Sequence, residues 1–188
     1  MSGIYDTSEF VVTLEIEMSN KVKTREELKA EVRKARSQGK TIVTTNGCFD
    51  ILHVGHLRYL QAAKQLGDVL IVAINSDESV RAIKGDKRPL VPEDERAEML
   101  AALECVNYVM IFPELDPIQL LKDLRPDIHV KGGDYALDQV IERETVKSIG
   151  AELRLMPGLA GKSTSNLIKL ITKRHGNLTS AEESEDHE

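Results

Sequence analysis

Short apolar runs alternate with longer amphipathic stretches along most of the chain. The runs TIVTTN, DVLIVAIN, VNYVMIF, DIHVKG and ELRLMP are rich in β-branched residues, which is typical of buried strands. Between them, helical periodicity predicts helices near residues 55–66, 77–83, 93–104, 117–124, 138–149 and 164–174. Strands that alternate with helices form parallel βαβ units. The pattern therefore predicts a single α/β domain, built on a parallel five-stranded sheet with helices on both faces.

The two ends of the chain depart from this pattern. Residues 1–23 form an N-terminal extension in which VVTLEIE alternates like a strand, and we expect this extension to be dispensable for chemistry. Thr24 and Glu27 fit a capping box that opens a helix ending near Ser37. The predicted domain covers residues 24–174, and residues 175–188 form an acidic tail that we expect to be disordered.

Composition and charge narrow the class of protein. A chain of 188 residues with 41% hydrophobic and 30% charged residues suits one domain with a packed core. The net charge of −6 comes largely from the five carboxylates of residues 180–188, which argues against a general nucleic-acid binder. Two cysteines favour a reducing compartment, and no apolar run reaches the roughly 18 residues of a membrane span. Acidic residues also interrupt the region where a secretory signal would lie. We expect a cytoplasmic protein without nucleic-acid or membrane partners, and a homo-oligomer is left open.

Polar and glycine-rich residues gather where the predicted strands end. These clusters are Asn46 to Asp50, Asn75 to Asp77, Lys131 to Asp134, and the stretch from Gly158 onward. In an open parallel sheet of Rossmann-like form, ligands bind beyond the carboxyl ends of the strands. The clusters therefore predict one binding site along one rim of the sheet.

The segment NGCFDILHVGH holds the sharpest group of candidate residues. His53 and His56 are three residues apart where a helix begins, so both imidazoles can face the same way. Gly55 allows a ligand to approach the backbone, and the helix N-terminus favours an anion. The arrangement suits a phosphate whose charge increases during a reaction. Two alternatives are histidines that only cap or pack, and a zinc site formed by Cys48, His53 and His56.

The segment GLAGKSTSN looks like the phosphate-binding loop of a nucleotide hydrolase, but its spacing differs. The first glycine of that loop would fall on Met156, and the segment follows the last strand rather than the first. We still expect a turn at Gly158 and Gly161, and a cap from Ser163 or Thr164 whose helix faces the β- and γ-phosphates. A purely structural cap is the alternative. The apolar residues expected to pack this helix are Leu167, Ile168, Leu170 and Ile171.

The segment GCFDILHVGH resembles the H-x-G-H signature of the nucleotidyltransferase superfamily that includes the cytidylyltransferases. With LIVAINSD, KGDKRP, VKGGDY and STSN in the same order, it is similar, more closely, to the adenylyltransferase domain that makes ADP-heptose. The similarity covers residues 24–174. Such domains often occur fused to a sugar kinase, and we expect this chain to be the stand-alone transferase.

The resemblance implies that AMP passes from ATP to D-glycero-β-D-manno-heptose 1-phosphate, releasing pyrophosphate, for lipopolysaccharide core synthesis. The attacking phosphate is already anionic, so catalysis reduces to positioning and charge stabilisation. The resemblance assigns His53 and His56 to the triphosphate. It assigns Lys84 to the α-phosphate and the attacking phosphate, with Arg88 as a second cation. A solvated loop lysine is the alternative for Lys84.

The remaining predicted contacts surround these catalytic residues. The predicted nucleotide-binding residues are Asn46, Gly47, Cys48, Phe49, Gly55, Arg96, Lys131, Gly132, Asp134, Ser163 and Thr164. Asp50 is predicted to bind Mg²⁺, directly or through water, and a helix cap is the alternative. For Arg96 the alternative is a surface ion pair, and for Asp134 a turn.

Three other functions stay open beside the heptose reaction. The first is a cytidylyltransferase acting on glycerol 3-phosphate or a phosphorylated amino alcohol, and the second is a flavin adenylyltransferase. The third is a catalytically inactive nucleotide-binding protein on the same fold. The STSN segment departs from the commoner STTN of the family, which leaves the exact sugar open.

Overall fold

The computed structural model describes residues 20–133, 137–157 and 163–176. Most of the predicted N-terminal extension, Asp134, Gly158, Gly161 and almost all of the acidic tail lie outside the described residues. The helices are α1 (Arg25–Ser37), α2 (Val54–Lys64), α3 (Asp77–Lys84), α4 (Glu93–Ala101), α5 (Ile118–Leu124), α6 (Arg143–Ser148) and α7 (Thr164–His175). The strands are β1 (Ile42–Gly47), β2 (Val69–Asn75), β3 (Tyr108–Phe112), β4 (Ile128–Gly132) and β5 (Glu152–Met156), and a 3-10 turn spans Leu137–Gln139.

The five strands form one parallel sheet in the order β3-β2-β1-β4-β5. Thr45 of β1 lies opposite Val72 of β2 on one side and Val130 of β4 on the other. The chain reverses its direction of travel across the sheet between β1 and β4, which is the topological switch point of a Rossmann-like fold. The predicted Rossmann-like α/β domain is confirmed.

Alternate residues of the central strand β2 enter two separate cores. Leu70, Val72 and Ile74 pack in the core that contains residues of α2 and α4. Val69, Ile71 and Ala73 pack in the core that contains residues of α1 and α5. A strand buried on both faces reads as a continuous apolar run, which is why LIVAI carries no polar residue.

The described domain begins slightly before the predicted boundary at residue 24. The backbone N–H of Lys23 donates to the Val109 carbonyl at 2.9 Å, and the Val109 N–H donates to the Lys21 carbonyl at 2.9 Å. Residues 21–23 therefore pair with the outer edge of β3. The capping box of Thr24 and Glu27 that opens α1 is confirmed.

Two predicted helices differ from the structure. The helix predicted over residues 138–149 is a 3-10 turn followed by the shorter α6, because the intervening Val140 and Glu142 turn inward and are buried. Leu170 and Ile171 were expected to pack α7, but they are 43% and 48% exposed, so that expectation is wrong for these two residues. Among the described residues, no helix has the length and apolar character that crossing a membrane requires.

Candidate active site

A cavity of about 970 Å³ opens at the carboxyl ends of β1 and β4, at the switch point of the sheet. Its size suits a ligand as large as a nucleotide. The predicted site residues on its wall are Asn46, Gly47, Cys48, Phe49, Asp50, His53, Gly55, His56, Lys84, Lys131, Gly132, Ser163 and Thr164, joined by Arg88. Of the predicted site residues within the described segments, Arg96 alone lies off the wall. The residues from separate strand ends therefore meet at one rim.

The two histidines stack against each other at the start of α2. Their ring centroids are 3.9 Å apart and their planes differ by 17°, so the predicted common orientation is confirmed. His53 is the N-cap of α2, and its Nδ1 accepts a hydrogen bond from the Gly55 N–H at 3.1 Å. A neutral imidazole that accepts at Nδ1 carries its proton on Nε2. His53 is therefore held as an Nε2–H donor beside the positive end of a helix.

His56 is uncharged at neutral pH. Burial, together with the neighbouring His53, lowers the pKa of His56 to about 4. The ring of Phe49 packs beside it, with centroids 5.2 Å apart. An uncharged ring still offers a hydrogen-bond donor to phosphate oxygens, and it can gain a proton when a strongly anionic ligand arrives.

The geometry gives no support to the zinc alternative. Burial raises the pKa of the Cys48 thiol, which disfavours the thiolate that zinc requires. Among the described residues, no three His, Cys, Asp or Glu side chains are grouped so as to hold a metal ion. Cys48 instead contributes its backbone carbonyl to the architecture of the site.

Asp50 fastens the loop that follows α3. Its Oδ1 accepts hydrogen bonds from the backbone N–H groups of Leu90 at 2.8 Å and Val91 at 2.9 Å, and its Oδ2 pairs with Arg88 Nε. The Asp50 side chain is only 1% exposed. Its position does not support the predicted role as a direct Mg²⁺ ligand, because both oxygens are already engaged within the protein. It does not cap a helix either.

Arg96 joins several loops from beneath the cavity. Its guanidinium donates to the carbonyls of Cys48 at 2.5 Å, Asn75 at 3.0 Å and Val91 at 2.9 Å, and pairs with Asp77 at 2.6 Å. Arg96 is 1% exposed, so the alternative of a surface ion pair is wrong. Its predicted contact with the nucleotide is not supported by this position. The rigid fork of an arginine suits a residue that must satisfy several acceptors at once.

Lys84 and Arg88 supply positive charge at the same side of the cavity. Lys84 ends α3 and is exposed, whereas the Arg88 side chain is 19% exposed and paired with Asp50. An exposed lysine on the cavity wall is compatible both with the predicted mobile cation and with a solvated lysine, so the role of Lys84 stays a prediction. Arg88 is a fixed cation, because its partner Asp50 is itself held by the backbone.

The end of β4 contributes Lys131, Gly132 and a residue that the sequence did not indicate. The ammonium of Lys131 lies 2.6 Å from Oε1 of Glu142, which is 2% exposed. The sequence gives little indication of a site role for Glu142, because in the segment VIERE it looks like one of several charged residues of a predicted helix. A side chain on Gly132 would come within 2.8 Å of the Tyr59 ring. Packing against Tyr59 therefore favours glycine at this position, and the predicted contact of Gly132 with the nucleotide stays a prediction.

The N-terminus of α7 also lines the cavity. Ser163 is the N-cap, and its hydroxyl accepts from the Asn166 N–H at 3.1 Å, so a serine or threonine cap in this segment is confirmed. The Thr164 hydroxyl lies 3.4 Å from the Ile51 carbonyl, just beyond the first strand. Ser163, Thr164 and Ser165 all line the cavity. Their contact with phosphates stays a prediction.

The fold and the site together define a class, a Rossmann-like nucleotide-binding protein. Its marks are a nucleotide-sized cavity at the switch point and stacked histidines on a helix N-terminus. The sequence agrees, since residues 44–175 match the model of the cytidylyltransferase-like family. The match covers more than half of the chain, and the chain belongs to this family.

Several curated relatives share close to half of the aligned residues. The chain is 49% identical to the bifunctional protein HldE of Geobacter sulfurreducens, over 83% of this chain and 32% of the relative. It is 48% identical to the bifunctional protein HldE of Syntrophotalea carbinolica, over 85% of this chain and 33% of the relative. The chain thus spans about a third of the length of the curated relatives it matches.

A solved structure of a similar protein supports the fold. The lipopolysaccharide core biosynthesis protein from Thermoplasma volcanium GSS1 superposes with a TM-score of 0.54 at 29% sequence identity. The superposition covers 64% of this chain and 98% of that protein.

Proposed function

We propose that the chain is an adenylyltransferase that transfers AMP from ATP to D-glycero-β-D-manno-heptose 1-phosphate, giving ADP-heptose and pyrophosphate. The observation that carries the proposal is the stacked pair His53 and His56 on the N-terminus of α2, inside a cavity edged by Lys84 and Lys131. The ordered motifs that resemble enzymes of ADP-heptose synthesis support the choice of ATP as the nucleotide and of heptose 1-phosphate as the acceptor. The similarity to HldE proteins and to a lipopolysaccharide core biosynthesis protein supports the same assignment.

The proposed reaction is a direct displacement at phosphorus. An oxygen of the heptose 1-phosphate forms a bond to the α-phosphorus of ATP. The bond between the α-phosphorus and the oxygen that bridges it to the β-phosphorus breaks. The electron pair leaves with pyrophosphate. The nucleophile is anionic at neutral pH and no proton must be removed from it, so the enzyme acts through positioning and electrostatics.

In this mechanism the two imidazoles donate hydrogen bonds to oxygens of the triphosphate, where charge grows as pyrophosphate departs. His53 is oriented for this task by the Gly55 N–H, which fixes its tautomer. Lys84 places its ammonium between the α-phosphate and the attacking phosphate, and closes on them from the exposed end of α3. Ser163 and Thr164 face the terminal phosphates from the N-terminus of α7.

Magnesium enters this proposal as part of the substrate, MgATP. The engaged, buried carboxylate of Asp50 does not fit a direct metal ligand, and Mg²⁺ keeps most of its ligands as water and substrate phosphate in such sites. Asp50 instead keeps Arg88 and the loop of residues 85–92 in place. A reaction that consumes ATP fits the expected cytoplasmic location.

The test crosses two nucleotides with two acceptors. Purified protein with Mg²⁺ is given ATP or CTP, each with D-glycero-β-D-manno-heptose 1-phosphate or glycerol 3-phosphate, and pyrophosphate is measured. We expect release with ATP and the heptose phosphate at a rate at least tenfold above the other three pairs. Faster turnover with CTP, or with glycerol 3-phosphate, would overturn the substrate assignment. No release with any pair would support an inactive nucleotide-binding protein.

A further inference from the structure

A series of hydrogen bonds joins residues of β1, β4 and the segment before α6, and it runs from the core to the cavity at the carboxyl ends of these strands. We call its members the polar chain: Thr44, His129, Glu142, Lys131 and Asn46. The Thr44 hydroxyl lies 2.9 Å from His129 Nδ1, and His129 Nε2 lies 3.3 Å from Glu142 Oε1. Glu142 Oε1 accepts from Lys131 Nζ at 2.6 Å, and Lys131 Nζ reaches Asn46 Oδ1 at 3.5 Å.

We propose that Glu142 and His129 are positioning residues, which act through Lys131 and Asn46 to present hydrogen-bond donors to the nucleotide. The proposal deepens the adenylyltransferase assignment and rests on it for the identity of the ligand. Neither Glu142 nor His129 was indicated by any motif in the sequence.

Burial shows that the inner part of the polar chain is built into the core. His129 is fully buried, Thr44 is 1% exposed, and the Glu142 side chain is 2% exposed. The Lys131 side chain is 20% exposed and lines the cavity, as Asn46 does. The buried members thus stand behind the two that can touch a ligand. A carboxylate buried in this way is tolerated only when it is paired and hydrogen-bonded.

The direction of each hydrogen bond follows from the charge states. Burial opposes ionisation of Glu142, but hydrogen bonds from His129 and Lys131 outweigh it and lower the pKa of Glu142 to about 2. Burial lowers the pKa of His129, so its ring is neutral at physiological pH. A carboxylate can only accept, so His129 donates from Nε2 to Glu142, and its Nδ1 accepts a hydrogen bond from the Thr44 hydroxyl.

The outer half of the polar chain is fixed by the same reasoning. The ammonium of Lys131 can only donate, so it turns the carbonyl oxygen of the Asn46 amide toward itself. The NH₂ group of Asn46 is then left for other partners, and Asn46 stands on the cavity wall. The donors presented here suit the acceptor oxygens of a phosphate or ribose, and their orientation is set before the ligand arrives.

The test measures ATP affinity in a double-mutant cycle. Glu142→Gln removes the charge that holds Lys131, and we expect the Kd for MgATP to rise about tenfold, as expected for a lost charge-assisted hydrogen bond. With Lys131→Met already present, we expect Glu142→Gln to change that Kd less than about twofold, because Glu142 acts through Lys131. Glu144→Gln, an exposed change of the same charge in the same segment, is the matched control and should leave the Kd unchanged.

A second pair of variants keeps the test independent of any effect on folding. His129→Gln retains a side-chain donor, whereas His129→Leu removes it, and we expect only the second to weaken ATP binding severalfold among folded molecules. Urea unfolding reports the stability of each variant separately. A purely structural role would give equal losses with and without Lys131, and that result would overturn the proposal. Tighter ATP binding by Glu142→Gln would also overturn it, because the carboxylate would then act only as a repelling charge.

The two proposals fail in different ways. If the cycle shows coupling on ATP binding but no pyrophosphate appears with any sugar phosphate, the adenylyltransferase assignment fails and the positioning role stands. If pyrophosphate is released normally but Glu142 and Lys131 act independently, the positioning role fails alone.

Discussion

The cavity has one wall formed by residues 46–56 and 84–92, and another formed by β5 and α7. The first wall rests on buried charged side chains, because Asp50 and Arg96 are 3% and 1% exposed and bind backbone groups of several loops. In the second wall, α7 has no buried residue, and β5 is at most partly buried. The difference suggests that the first wall sets the geometry of the reaction, whereas the second wall contributes a helix N-terminus with little support from the core.

The largest effect should come from removing the support beneath the first wall. Arg96→Leu leaves three backbone carbonyls without the donor that Arg96 provides and Asp77 without its cation. We expect a loss of about 3 kcal/mol in the free energy of unfolding, since breaking a buried pair on one side is strongly destabilising. Urea unfolding of Arg33→Leu, which changes an exposed arginine of α1, is the control. A loss of less than 1 kcal/mol for Arg96→Leu would contradict the supporting role.

The next effect concerns catalysis on the first wall. His56→Gln keeps a polar side chain but removes the stacked imidazole, and we expect kcat to fall roughly 10²–10³-fold, as for the loss of a transition-state donor. The KM for ATP should change much less, because the donor is used most strongly as pyrophosphate leaves. A 10²–10³-fold rise in the KM for ATP with kcat unchanged would instead mean that His56 binds the substrate as strongly before the reaction as in the transition state.

The same substitution should change how stability depends on pH. The pKa of His56 is about 4 in the folded protein and near 6.5 when unfolded, so the unfolded state binds more protons between these values. The stability contributed by neutral His56 is therefore complete above about pH 6.5 and is lost as the pH falls toward 4. At pH 5 we expect the loss to be on the order of 1 kcal/mol after solvent screening. As the pH is lowered from 7 to 4, urea midpoints should fall more steeply for the wild type than for His56→Gln, and parallel curves would contradict this assignment.

The smallest effect should come from the second wall. Ser163→Ala removes the N-cap of α7, and we expect a local loss on the order of 0.5 kcal/mol, seen as faster amide exchange in α7. The global urea midpoint should stay within error because α7 buries no residue. Thr24→Ala removes the cap of α1, whose Leu28 and Val32 are buried, and should lower global stability by about 1 kcal/mol. Equal shifts of the urea midpoint for Ser163→Ala and Thr24→Ala would contradict the claim that α7 is less firmly packed than α1.

The sequence predicted the parts of this protein that local pattern determines. Short apolar runs rich in β-branched residues predicted the five strands, and the 3.6-residue period predicted most helices. The strand ends predicted which residues meet at the cavity. Asp50 and Arg96 were assigned to ligands, because a buried role depends on which loops fold over a side chain, and spacing does not show this. Glu142 was missed for the same reason, since its partners His129 and Lys131 become visible only when β4 and the following turn are in place.

Transfer of the α-phosphorus tests the central claim most directly. ATP labelled with ³²P at the α-position is incubated with the protein, Mg²⁺ and D-glycero-β-D-manno-heptose 1-phosphate, and the products are separated. We expect the label in a nucleotide sugar, with one unlabelled pyrophosphate released for each molecule formed. Label that appears in ADP, or that stays in ATP while His53 and His56 are intact, would contradict nucleotidyl transfer at this site.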